Sequence, residues 1–337
     1  MAGKGGVPAK GATAVALDVS AISPSATGHL IAYPAGTTRP GVVDLNFGAG
    51  QSVTNLVVVK LNGGKVSLYN ADSGTLNLAA DVAGYYTTGT GAMFTASAPR
   101  RILDTRNGLG APKAKVGAHG TLTLTVAGKG GVPGQGATAV AVNVQALSPT
   151  ATGSLTIYPN GTSRPATAAL SFSSGRRAAS LAIVRLVNGK ISIYNGSSGT
   201  LDLTADVVGY YGSGGATFLP VGPTRVLDTR SGLGGSGQTV LSHAAAITRV
   251  MNVPALASAN VTAVLLQVSV LGPQRSGTLT AFADEARVPG VVTFPFVAGQ
   301  AVTSLVIVPI VNGNVDFYND SSGTTQVVAD LLGFYAE

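Results

Sequence analysis

One stretch, Val66-Ser-Leu-Tyr-Asn-Ala-Asp-Ser-Gly-Thr-Leu-Asn-Leu-Ala-Ala-Asp-Val-Ala-Gly-Tyr-Tyr86, limits what this chain can fold into more than any other. It returns twice, from Ile191 to Tyr211 and from Val315 to Tyr335. Each copy runs through alternating apolar residues into Tyr-Asn, turns at a loop ending Ser-Gly-Thr, and closes on Ala-Asp, Gly and an aromatic pair. Alternation with period two marks a strand, so the pattern predicts a β-hairpin in each copy, with Gly74, Gly199 and Gly323 at positive φ in the loop. Tyr69 and Tyr194 are 125 positions apart, and Tyr194 and Tyr318 are 124 apart. That period is too long for a solenoid unit and suits a whole domain.

Composition agrees with an all-β chain. Among 337 residues, 46 Gly and 17 Pro punctuate many short runs of Val, Thr, Ile and Leu, and 45% hydrophobic content is enough to fill sizeable cores. No window reads as a long amphipathic helix, and no apolar run approaches the roughly 18 residues of a membrane span, so no transmembrane segment is expected. Without cysteine there is neither a disulfide framework nor a thiolate metal site. The net charge of +7 is scattered, apart from Arg100-Arg101 and Arg176-Arg177. Scattered charge favours loose attraction to anionic polymers and gives no basis for specific nucleic-acid binding.

In chain order, Ala12 to Ser20, His29 to Tyr33, Val42 to Phe47 and Val53 to Leu61 read as strands, the last buried on both sides, and Asn62-Gly63-Gly64 gives a hairpin signal. A head segment, Phe94 to Gly110, recurs as Phe218 to Gly234, and the strand Thr121 to Val126 follows the first head. The expected fold class is therefore three tandem β-sandwich modules, Ig-like or jelly-roll-like: module one at 1–88, head plus module two at 89–212, head plus module three at 213–337. Three bodies share two heads. Either each head completes the body before it, leaving module three open, or a first head lies upstream. In both cases one body lacks a strand, and an open edge is a template for pairing with another chain. Because Ala2-Gly-Lys-Gly-Gly-Val-Pro8 matches Ala127 to Pro133, the chain begins inside a repeat, and a leader or further domain upstream is expected.

Together, Arg-x-Leu-Asp-Thr-Arg-x-Gly-Leu-Gly, Gly-x-Leu-x-x-Tyr-Pro-x-Gly-Thr-x-Arg-Pro and Ala-Asp-Val-x-Gly-Tyr-Tyr resemble an accessory repeat module that recurs in secreted and cell-surface proteins of actinobacteria. The likeness covers nearly the whole chain. It implies a secreted or cell-surface location and a non-catalytic role in binding cell wall or polysaccharide. The alternative is a structural or adhesive surface protein that self-assembles by strand complementation between repeats. The partners expected are a cell-wall glycan or another anionic or polysaccharide polymer, together with self-association.

Candidate residues follow from chemistry. Asp104 and Asp228 lie in Leu-Asp-Thr motifs reminiscent of aspartic proteases, but Arg106 and Arg230 beside them favour two ionised carboxylates and oppose a shared proton. The better reading is structural ion pairs. Asp81, Asp206 and Asp330 sit in apolar strands, so either they meet the head arginines Arg101 and Arg225 (or Arg106 and Arg230) or they point to solvent at a strand end. Tyr33 and Tyr158, with Arg39 and Arg164 in the loops that follow, are candidate sugar-binding residues. The Asn70, Asn195 and Asn319 loops carry too few acidic groups for Ca²⁺, so no metal or other cofactor is expected. His29, His119 and His243 lie in no catalytic motif, and no enzyme is expected.

Overall fold

The computed structural model describes residues 1–89, 91–235, 246–250 (backbone alone), 260–284 and 287–337; His243 lies outside them. It is all-β. Module two has eight strands: β7 (Met93–Asp104), β8 (Thr121–Thr125), β9 (Ala139–Leu147), β10 (Gly153–Pro159), β11 (Leu170–Phe172), β12 (Ala178–Arg185), β13 (Lys190–Asn195) and β14 (Asp202–Gly212). They form two four-stranded sheets, β12-β9-β14-β7 and β11-β10-β13-β8. First strand pairs with last, second with seventh, third with sixth and fourth with fifth, all antiparallel, which is the wrapping of a jelly roll.

Module three repeats it with β15 (Thr217–Asp228), β16 (Ala246–Val250), β17 (Val261–Leu271), β18 (Gly277–Ala283), β19 (Phe294–Phe296), β20 (Val302–Pro309), β21 (Asn314–Asn319) and β22 (Gln326–Ala336). Each head therefore joins the body that follows it. Module one has β1 (Ala12–Ile22), β2 (Gly28–Pro34), β3 (Leu45–Phe47), β4 (Val53–Lys60), β5 (Val66–Asn70) and β6 (Asn77–Thr87). Its sheets, β4-β1-β6 and β3-β2-β5, have three strands each.

Two expectations need correction. The Val66–Tyr86 stretch and its copies are not hairpins: β5 pairs with β2 and β6 with β1, so the loop crosses from one sheet to the other. Asn62 and Lys65 likewise close a turn between β4 and β5, which lie in different sheets. Nor do Gly74, Gly199 and Gly323 adopt positive φ. Glycine is needed there for close approach, since a Cβ at Gly199 would lie 2.4 Å from Thr150 Oγ1 and 2.7 Å from the Ala151 nitrogen.

The bodies pack around a common core. On β9, Val140, Val142 and Val144 face their own sandwich, while Ala141 joins a second cluster with Ala14, Leu56, Leu181, Leu265 and Leu305 from all three modules. The same division on β4 sends Val57 and Val59 inward and Leu56 and Val58 to the shared core, which is why this strand is apolar on both faces. At the centre the hydroxyls of Tyr86, Tyr211 and Tyr335 form a triangle, with Oη to Oη distances of 3.1 Å (86–211), 2.8 Å (211–335) and 3.3 Å (86–335). Burial and the weak acidity of phenol keep these hydroxyls protonated, so each can both donate and accept.

Candidate functional site

The heads show what a completed module needs. In β7 against β14, Phe94 opposes Tyr211, Ala96 opposes Gly209 and Arg101 opposes Asp206. In β15 against β22 the same places hold Phe218–Tyr335, Pro220–Gly333 and Arg225–Asp330. Arg101 Nε donates to Asp206 Oδ1 at 2.8 Å and its Nη2 to Oδ2 at 3.1 Å; Arg225 does the same to Asp330 at 2.8 and 3.2 Å. Burial pushes both acceptor carboxyls above the ordinary range, and the guanidinium opposes that shift. A two-pronged guanidinium is the side chain that lets a carboxylate remain charged in such a place.

The Leu-Asp-Thr-Arg turns lock the far end. Arg106 grips Asp104 through Nε at 2.9 Å and Nη2 at 2.7 Å, and Arg230 grips Asp228 at the same distances. Hydrogen bonds from these arginines hold both carboxyls below their usual range, Asp228 at about 2. The Thr105 hydroxyl donates to Asp202 and accepts from the Leu203 amide; Thr229 bridges Gln326 and the Val327 amide likewise. These carboxylates are occupied inside the turn, and the threonines tie the turn to the start of the final strand.

The ring of the head phenylalanine takes the space above a glycine. A Cβ at Gly209 would sit 2.2 Å from Phe94, and one at Gly333 2.4 Å from Phe218. Phe94 packs on Tyr211 and Tyr335 with ring centroids 4.9 and 4.3 Å apart, and Phe218 on Tyr335 and Tyr86 at 5.0 and 4.2 Å. Each phenylalanine thus covers its own tyrosine and one neighbour's.

Module one presents the same acceptor positions with the outer sides of β5 and β6 unpaired among the described residues. Asp81, Gly84 and Tyr86 on β6 correspond to Asp206, Gly209 and Tyr211, yet nothing lies within 4 Å of a Cβ built at Gly84. Leu78 and Tyr85 on β6 are 44% and 47% exposed, and Tyr69 on the adjoining edge β5 is 38% exposed. Asp81 is exposed and makes no ion pair among the described residues, so the two readings of these aspartates hold in different modules. Directly across the ladder stands Asp18, whose carboxyl is raised to about 7 by burial and then by Asp81. The residues at the place of Asp18 in the other modules are Asn143, which donates to the Val292 and Thr293 carbonyls of module three, and Gln267, which donates to the Asp44 carbonyl of module one.

Beside Asp81 a cleft of about 840 Å³ opens between modules one and two, lined by Ser20, Ala79, Ala168 and Arg176 among others. A separate small cavity of about 20 Å³ between modules two and three is bordered by Pro99 of the head, Asn143, Asp206 and Thr293.

The other sequence candidates lie elsewhere. Arg39 packs over the ring of Tyr69 at 4.0 Å and Arg164 over Tyr194 at 3.7 Å, each a cation–π contact. Tyr33 is half-buried, and Tyr158 is buried at 9% exposure, which leaves no open ring face there for sugar stacking. His119 lies 3.2 Å from the Tyr194 hydroxyl. In the three loops, Asn70, Asn195 and Asn319 donate to the carbonyls of Gly74, Gly199 and Gly323; among the described residues no group of three His, Asp or Glu converges as metal ligands. The sequence reasoning passed over Asp18, Gly84 and the tyrosine triangle. Their signal was the fixed spacing from Phe to Arg in the heads and from Asp to Tyr in the final strands.

No protein-family model matches the chain, and no curated protein is similar to it in sequence. Among solved structures it is similar to a chain described under "The Triple Jelly Roll Fold and Turret Assembly in an Archaeal Virus", at 10% identity and a TM-score of 0.21, covering 97% of this chain and 80% of that one. A chain described under "Life in the extremes: atomic structure of Sulfolobus Turreted Icosahedral Virus" matches at 11% identity and a TM-score of 0.20, with the same coverage. Overlap at this level carries no argument about function.

Proposed function

We propose that the chain is a non-catalytic structural unit of a secreted or cell-surface protein, a rigid body of three jelly rolls through which a larger assembly is built. One observation carries this reading: the three modules share a core closed by the Tyr86–Tyr211–Tyr335 triangle, so they form one body and not three beads on a string. The repeated charged motifs support it, because Asp206 and Asp330 pair with head arginines across strands, while Asp104 and Asp228 pair within the turns that end the head strands. Calorimetry tests it: a single unfolding transition of the whole chain is expected, and three separable transitions would contradict it.

A second reading, attachment to a cell-wall polymer, rests on a cleft of about 370 Å³ where the three modules meet, with Gln51, Arg176, Arg177 and Gln300 among its lining residues. Cationic and amide groups at such a mouth suit an anionic glycan. Co-sedimentation with insoluble peptidoglycan, chitin and cellulose, against a polymer-free control, tests it. Pelleting with one polymer that is weakened in Arg176→Ala/Arg177→Ala supports attachment; equal pelleting with and without polymer rejects it.

A further inference from the structure

We propose that the open side of module one is an acceptor site for a polypeptide segment of the head type, supplied from outside these 337 residues. The segment is two consecutive strands, the first carrying an aromatic residue and, seven positions later, an arginine. The inference rests on the structural reading above and names the partner of its open edges.

Three observations point to this occupant. First, β5 and β6 are edge strands on the same side of the sandwich, at the places where β13 and β14 are covered by β8 and β7, so one continuous segment closes both sheets. Second, Gly84 is the counterpart of the two glycines whose side-chain space is filled by Phe94 and Phe218, and the space above it is open. An aromatic ring there would lie on Tyr86 and Tyr211, completing the cycle in which Phe94 covers Tyr211 and Tyr335 and Phe218 covers Tyr335 and Tyr86. Third, Asp81 and Asp18 face each other across the ladder with no cation paired to Asp81 among the described residues, where the other modules hold Arg101 and Arg225. Two facing carboxylates favour an incoming guanidinium over any neutral strand.

A second copy of this chain is a poor donor. Its two heads are laddered into its own modules and fixed by Arg101–Asp206 and Arg225–Asp330, so lending one opens an equal edge at home.

The test uses the full chain and a synthetic peptide of residues 92–125, titrated by calorimetry and by anisotropy of a labelled peptide. Saturable one-to-one binding is expected, weakened at least tenfold in peptides carrying Phe94→Ala or Arg101→Ala and in a chain carrying Asp81→Lys. Absence of saturable binding, or binding indifferent to all three changes, overturns the proposal. So does concentration-dependent dimerisation of the chain that is lost with Asp81→Lys, since it would make a second copy the occupant. A fusion guards against an insoluble peptide: Val126 is the counterpart of Met1, so residues 92–125 joined directly before Met1 place the segment in register. The fused chain should melt higher than the unfused one, and an unchanged melting temperature overturns the proposal. The calorimetric profile of the unfused chain, one transition or three, decides the structural reading independently.

Discussion

The guanidinium of Arg101 and the carboxylate of Asp206 meet edge to edge across β7 and β14, with Nε to Oδ1 at 2.8 Å and the carboxylate 1% exposed. The contact ties a head to the body that follows it, and Arg225 with Asp330 repeats it one module later. Removing one partner of a buried pair leaves an uncompensated charge. Arg101→Ala should therefore cost about 3 kcal/mol or more, within the range known for such truncations. Adding Asp206→Asn to that variant should recover part of the loss. Urea unfolding of the three proteins measures both effects.

The glycine–phenylalanine fit makes a differential test. Gly209→Ala drives a methyl group into the Phe94 ring, whereas Gly84→Ala meets nothing within 4 Å. Overpacking of this kind costs about 1–3 kcal/mol, so the first variant should lose that much and the second far less. Equal losses in chemical denaturation would contradict the fit.

At the tyrosine triangle, Tyr335 is fully buried and bonded to both other hydroxyls. Tyr335→Phe removes the two hydrogen bonds and keeps the ring, with an expected cost of roughly 1–2 kcal/mol. Because the triangle joins modules, the calorimetric transition should broaden as well as shift.

A pH dependence follows from Asp18. Its carboxyl is raised to about 7 in the folded chain against 3.8 as a free group, so between those values the folded state holds more protons than the unfolded one. Its contribution to stability is complete below about pH 4 and is lost as pH rises toward 7. Asp228, lowered to about 2, acts oppositely: its contribution is present above pH 4 and lost as pH falls toward 2. Asp18→Asn, which copies Asn143, should raise the melting temperature at pH 8 by a few degrees and flatten its dependence between pH 4 and 7. Scans across that range check it.

Much of this architecture was legible in the sequence. The period from Tyr69 to Tyr194 to Tyr318 marked three modules, alternation placed most strands, and the arginines beside Asp104 and Asp228 argued for ion pairs over a protease dyad. What escaped depended on the third dimension. Consecutive strands such as β5 and β6 look like a hairpin because alternation shows which face is buried and says nothing of which sheet a strand joins. Gly74 and Gly84 read as turn and strand glycines, yet their use is decided by side chains distant in sequence, or by the lack of one. Asp18 looked like a polar residue on an alternating strand; only its burial and its register with Asp81 show its charge problem.

The most direct test of the whole account is amide hydrogen exchange of the free chain, compared between β6, β14 and β22. All three close their modules in sequence, but among the described residues only β6 is a sheet edge. Amides on the outward side of β6 should exchange orders of magnitude faster than their counterparts on β14 and β22, which are bonded to heads. Equal protection on all three strands would mean that module one is closed, and would contradict the account.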